Sequence, residues 1–213
     1  GKESLKTCGN GPDLMTAPLT IGVDATFLQR DKRGMGRVLR SILAEWKKSF
    51  SHRLVLLARE KRHLAELADT PYGKWDLVLA EEAHGLDVCW FPWNRVDWQP
   101  RCPAAVTIYD VAPFTDFHPQ NRHLQAHQDR LLHAAERATR IITTSNFSRA
   151  ELHRHLNCDI SQVDVVPLGH DPVFHPHRNA YLDPFFVEKI GPEPYILYVG
   201  NTEPRKNLEG LLE

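Results

Sequence analysis

Four short stretches of this chain hold residues whose types and spacing could do chemistry. Tyr109 and Asp110 close the apolar run AAVTIYD (104–110), ahead of the proline-flanked loop VAPFTDFHP. A carboxylate there can accept hydrogen bonds from sugar hydroxyls or assist proton transfer; it can equally cap the loop. Asp116 and His118, in the same loop, are nearby alternatives. In QRDKRGMGRVLRSIL, Gly34 and Gly36 flank Met35, with Arg33 and Arg37 beside them. Paired glycines before a helix let backbone N–H groups approach a phosphate or a sugar, and the helix dipole favours negative charge there. A plain tight turn fits the same residues. In GNTEPRKNLEG (200–210), Arg205 and Lys206 open a helix after a strand. Two cations at a helix start suit a diphosphate, although adjacent Arg and Lys are usually a solvated pair. The tryptophan run CWFPWNRVDWQP (89–100) can stack a sugar or a base, or simply pack the core.

These residues need elements to hold them. From Leu19 onward, apolar β-rich runs alternate with helical patterns. Strands are expected over 19–27, 53–58, 75–80, 86–92, 104–110, 140–145 and 162–169. Helices are expected over 36–50, 60–69 and 121–138, and over FSRAELHRHL, capped by Ser145 or Asn146. Repeated strand–helix alternation implies parallel pairing by right-handed crossovers, hence an α/β fold: an open parallel sheet with helices on both faces. Ligands of such sheets sit at the carboxyl ends of the strands. That rule points to the loop after Ala25, the loop after Asp110, and Thr144–Ser145. Residues 168–194 carry five prolines and read as an interdomain linker. YILYVG (195–200) then reads as a new buried strand. The expected layout is a disordered leader (1–18), a first domain (19–167), the linker (168–194) and the first βα unit of a second domain (195–213).

Composition narrows the classes. A formal net charge of -1 gives no overall field for nucleic acid or an anionic membrane. Lys47–Lys48 and Arg30–Lys32–Arg33 suggest at most a local basic face. No apolar run reaches the roughly 20 residues of a membrane span. The four cysteines show no C-x-x-C pair and are expected as free thiols. Among the twelve histidines, His153 and His155 do not share a helical face, whereas His123 and His127 can. Without HExxH or a Cys/His cluster, no metal site is expected.

Taken in order, the motifs resemble the retaining glycosyltransferases of family four, whose two Rossmann-like domains form the GT-B fold. IGVDATFL…RGMGRVLRSIL is similar to that family's opening strand and glycine loop. VTIYDVAPFTDFHP, IITTSNFSRAEL and VDVVPLGHDPVFHP resemble its next three segments, and YILYVGNTEPRKNLEGLLE resembles the start of its nucleotide-sugar domain. Tyr109 stands where the family often has His, Leu168 where it has Asn, and His170 where it has an apolar residue.

The resemblance implies transfer of a sugar from a nucleotide-sugar donor to a glycan or lipid-linked acceptor, with retention at the anomeric carbon. Mannose from GDP-mannose is the implied donor, and polysaccharide biosynthesis the implied setting. It implies no cofactor and no metal, a cytoplasmic protein, and peripheral contact with the inner face of the membrane as an open option. Asp110 and Tyr109 take the catalytic positions, lining the cleft near the transferred sugar. Gly34, Gly36, Arg205 and Lys206 would bind the donor. Arg33, Arg37, Asp116 and His118 are the acceptor-side candidates. The family's E-x7-E motif and base pocket are not in the sequence, so residues 1–213 alone are expected to show little transferase activity. One alternative is a non-catalytic glycan-binding or assembly module with the same half-fold. Another, a nucleotide-binding oxidoreductase, is disfavoured: Leu39 occupies the third glycine position of G-x-G-x-x-G, and Ala58 ends strand two where an acid is needed.

Overall fold

The computed structural model of the chain describes residues 17–49, 51–115, 123–174, 184–191, 193–200 and 202–213. Most of the expected leader, and both Asp116 and His118, lie outside the described residues.

Seven strands form one sheet: β1 Thr20–Asp24, β2 Arg53–Ala58, β3 Asp76–Leu79, β4 Val88–Phe91, β5 Ala104–Thr107, β6 Arg140–Thr143 and β7 Val163–Val165. Their order is β3-β2-β1-β4-β5-β6-β7, and every pairing is parallel. Four helices complete the layers: α1 Gly34–Ser49, α2 Lys61–Ala68, α3 Leu124–Arg137 and α4 Asn146–Leu156. The expected Rossmann-like parallel α/β sheet is present.

A parallel sheet covered on both faces needs strands that are apolar throughout. In β2, RLVLLA, every residue after Arg53 is buried. Alternation sends neighbours to opposite sides. Leu54 and Leu56 pack with Val23, Leu39, Leu43 and Leu67, under α1 and α2. Val55 and Leu57 join Phe91, Val106, Leu131 and Leu152, under α3 and α4. Each fully buried leucine contributes about 1.5–3 kcal/mol relative to exposure.

Two crossovers have no helix. Residues 80–87 carry the chain from β3 to β4, and 92–103 from β4 to β5. A turn at Gly85, with φ of 66°, folds the first of these back over the sheet. Leu86 then lies over Gly22 of β1, where an added Cβ would come within 2.7 Å of it. The sheet face there is covered by extended chain instead of a helical cylinder.

Several sequence expectations change. β2 fills its expected range, whereas the other strands are shorter than their apolar runs; after β1, β5 and β6 the residues that leave the sheet build its carboxyl edge. The expected linker contains a short helix, α5 Pro184–Ile190, with Pro at its first position, where a missing N–H costs nothing. The strand expected over 195–200 does not form: Ile196 and Val199 are 81% and 85% exposed. A strand gains little without a neighbour to pair its backbone and cover its side chains. After it, residues Pro204–Lys206 form a 3₁₀ turn, and α6 spans Leu208–Leu212.

Candidate functional site

Strand order reverses between β1 and β4, and the crevice beyond their carboxyl ends is where ligands of open α/β sheets bind. The residues there are tied to one another. The indole N–H of Trp93, just after β4, donates to the Asp24 carbonyl at 2.8 Å. Phe27 meets Trp93 edge-on at 5.7 Å, and the Arg95 guanidinium lies 5.0 Å from the Phe27 ring centre. Arg95 in turn binds Asp97 at 2.7 Å. Asn94 adopts the left-handed conformation, which asparagine tolerates. Its side-chain oxygen accepts the Tyr109 N–H at 2.8 Å, and its own N–H donates to the Thr107 carbonyl. This clip joins the loop after β4 to the end of β5.

Asp24 is fully buried. Its Oδ1 accepts the Thr26 N–H at 3.0 Å, whereas Oδ2 has no partner among the described residues. Burial pushes its carboxyl up to about 7, with the charge of Asp97 adding to the effect; hydrogen bonding from Thr26 and the charge of Arg95 oppose it. The Tyr109 hydroxyl is also buried without a partner, and burial, with the Asp31 charge behind it, pushes it up to about 12. Thr26 Oγ1, in the turn after β1, and Thr143 Oγ1, at the end of β6, are two more such atoms on this edge. Buried polar atoms normally find partners, so four orphans among the described residues at the carboxyl ends of β1, β5 and β6 mark an edge arranged for more than folding.

Asp110 is exposed, and its Oδ1 accepts the Ala112 N–H at 3.0 Å. It therefore caps the loop while staying exposed beyond the end of β5. Ser145 caps α4 by accepting the Ser148 N–H at 3.0 Å, and the Ser148 hydroxyl donates to the Tyr109 carbonyl. These contacts bring Tyr109, Asp110 and the start of α4 together, as the placement rule expects.

The glycine loop is built differently from a bare phosphate cradle. A Cβ on Gly36 would meet the Asp31 carbonyl oxygen at 1.9 Å, so Gly36 permits a tight turn. Gly34 has open space around it. Asp31 Oδ1 accepts the Arg33 N–H at 2.7 Å, and Arg40 ties the loop by donating to the Leu28 and Asp31 carbonyls. Arg33 is exposed; Arg37, also exposed, lies 5.8 Å from the Phe174 ring centre. Lys206 is exposed and its side chain makes no ion pair among the described residues. The Arg205 backbone belongs to the 3₁₀ turn. The structure thus assembles Tyr109 and Asp110 into the edge but ties Lys206 to none of it.

Sequence reasoning missed Asp24; it singled out the tryptophan run 89–100 but not the Arg95–Asp97 pair within it, nor the bond from Trp93 to the Asp24 carbonyl. The signal for Asp24 was present: one acid inside TIGVDATF, a strand otherwise apolar enough to be buried. Cys89, Cys102 and Cys158 are free thiols, and no group of three metal-ligating side chains occurs among the described residues. No helix among them is long and apolar enough to cross a membrane.

Two comparisons bear on this site. The Glycosyltransferase Family 4 model matches residues 21–174, which include every residue of the edge just described. The O-antigen chain mannosyltransferase B of Escherichia coli is 32% identical over 114 residues, 52% of this chain and 29% of that protein. The matched part thus spans less than a third of the relative's length.

Proposed function

We propose, from the premise that the chain belongs to glycosyltransferase family 4, that it forms the acceptor-side half of an enzyme transferring mannose from GDP-mannose to a glycan or lipid-linked acceptor. The observation that carries this reading is the carboxyl edge inside the matched region, where Asp24 ends β1 at the strand-order reversal and Tyr109 and Asp110 follow β5, the next strand but one. The similarity to a mannosyltransferase supports mannose as the sugar.

In the proposed reaction an acceptor hydroxyl oxygen bonds to the anomeric carbon as the bond to the diphosphate breaks. The acceptor proton leaves with a diphosphate oxygen, and the anomeric configuration is retained. Asp110, exposed at the crevice rim, accepts hydrogen bonds from hydroxyls of the transferred sugar. Tyr109 shapes the floor behind it. Asp24 is too buried to touch substrate and acts as a positioning residue, holding the Ala25–Thr26 turn against Trp93. Gly34 is the open approach for a phosphate at the start of α1. Arg205 and Lys206 are assigned the leaving diphosphate, whose developing charge needs cations. Arg33 and Arg37 face the acceptor. The nucleotide sugar is a substrate, and the proposal includes no resident cofactor or metal.

The test supplies GDP-mannose, UDP-glucose and UDP-N-acetylglucosamine with a mannan oligosaccharide to the protein that carries this chain. The expected product is an α-linked mannosyl extension, read by NMR of its anomeric proton. A β-linked product would refute retention. Preference for a UDP-sugar would refute the donor, and binding of the oligosaccharide without turnover of any donor would favour a glycan-binding module.

A further inference from the structure

The helix-free crossover over the sheet leaves a cavity of about 400 Å³ that the edge site does not use. Its volume is in the range of small-molecule sites. Leu57 and Trp98 contribute apolar surface, and Arg59, Glu81, Gln99 and Arg101 surround it with polar groups. We infer that this cavity is a saccharide-binding site that holds a sugar unit of the acceptor glycan away from the reaction centre; the substrate class rests on the transferase reading above.

The side chains argue for a polyhydroxylated ligand. Three other tryptophans, Trp46, Trp90 and Trp93, donate their indole N–H to protein oxygens. Trp98 is half-buried, packs edge-on against Phe91 at 4.7 Å, and donates to no acceptor among the described residues. Its ring offers an apolar plate for the C–H face of a pyranose, with a free donor at one edge. Arg59 and Glu81 form no ion pair among the described residues, and Arg101 makes one 3.4 Å contact, with His84 Nδ1. Both charge signs stand around one apolar floor. A phosphate would meet Glu81, and an amine would meet two guanidiniums. Neutral hydroxyls satisfy all of them, accepting from Arg and donating to Glu or to the Gln99 carbonyl.

Position ties the cavity to the edge. Leu57 is the register partner of Asp24 across the β1–β2 pair. Neighbouring strands lie about 4.8 Å apart, so a glycan of a few sugars can span both places.

The experiment uses linear α-mannotetraose and the ¹⁵N indole resonances of the 213-residue chain, with the Trp98 signal assigned by Trp98→Phe. Tetraose is expected to shift that signal. Arg59→Ala and Gln99→Ala, both at exposed positions, should weaken its binding about tenfold each while thermal midpoints stay put. Two results would overturn the inference: an unmoved Trp98 signal, or wild-type affinity in both variants. GDP alone moving Trp98 would make the cavity an anion site and overturn it as well. Mannosyl transfer with an unmoved Trp98 refutes the cavity and leaves the transferase reading standing. A Trp98 shift that depends on Arg59 and Gln99, with no transfer by the protein that carries this chain, upholds saccharide binding in the cavity and refutes the transferase reading.

Discussion

Burial moves the Asp24 carboxyl far from its ordinary state, and the direction of the shift makes a signed prediction. Its carboxyl is raised to about 7 in the fold from 3.8. Between those values the folded protein keeps a proton that the unfolded chain has lost, so stability falls as pH rises and levels off above about 7. Three pKa units correspond to about 4 kcal/mol. Asp24→Asn keeps an acceptor for the Thr26 N–H and removes the ionisation. Its thermal midpoint should exceed wild type at pH 8 and approach it at pH 4, as scanning calorimetry at the two values can check. A midpoint difference independent of pH would contradict the assignment. The two loop glycines divide in the same way. Gly36→Ala drives a methyl into the Asp31 carbonyl and should lower the midpoint strongly. Gly34→Ala has room and should change stability by under about 1 kcal/mol, while weakening GDP-mannose binding. Equal stability loss in both variants would remove the reason for treating Gly34 as the open approach.

At the scale of elements, the loop between β1 and α1 is held by Arg40, which donates to two of its carbonyls at 3.0 and 2.8 Å. Arg40→Ala orphans both and should cost about 1–3 kcal/mol, with amide exchange accelerated most over 28–36. Uniform acceleration across the sheet would mean the arginine serves the whole core. Ser145→Ala removes the cap of α4 and should cost about 1 kcal/mol, measurable by urea unfolding. The elements themselves were largely legible in the sequence, because a buried parallel strand needs an unbroken apolar run and a surface helix needs a stripe. Val55 and Leu57 on one face, with Leu54 and Leu56 on the other, read directly as a strand covered twice. The ends were less legible. Tyr109 and Asp110 continue the apolar run of β5, yet Asn94 takes the Tyr109 N–H and turns the chain out of the sheet. That depends on a residue fifteen positions away.

At the scale of the molecule, alternation implied a parallel sheet, but strand order came only from the structure. The order places Asp24 beside the loop after β4, which makes Trp93, Arg95 and Asp97 its neighbours. No local pattern links these residues, since they meet across a strand reversal. Tyr109 and Asp110 were legible because the placement rule acts on a single strand end. The expected strand 195–200 illustrates the converse: its apolar run is clear, but pairing depends on partners that its own sequence does not specify.

If this carboxyl edge takes part in mannosyl transfer, the variant Asp110→Asn must slow it. The variant keeps a side-chain oxygen for the Ala112 N–H and removes the charge presented to the crevice. In the protein that carries this chain, initial rates of mannose transfer from GDP-mannose to a mannan oligosaccharide should fall about 10- to 100-fold, with an unchanged thermal midpoint. Transfer at the wild-type rate by a folded Asp110→Asn protein would contradict the account.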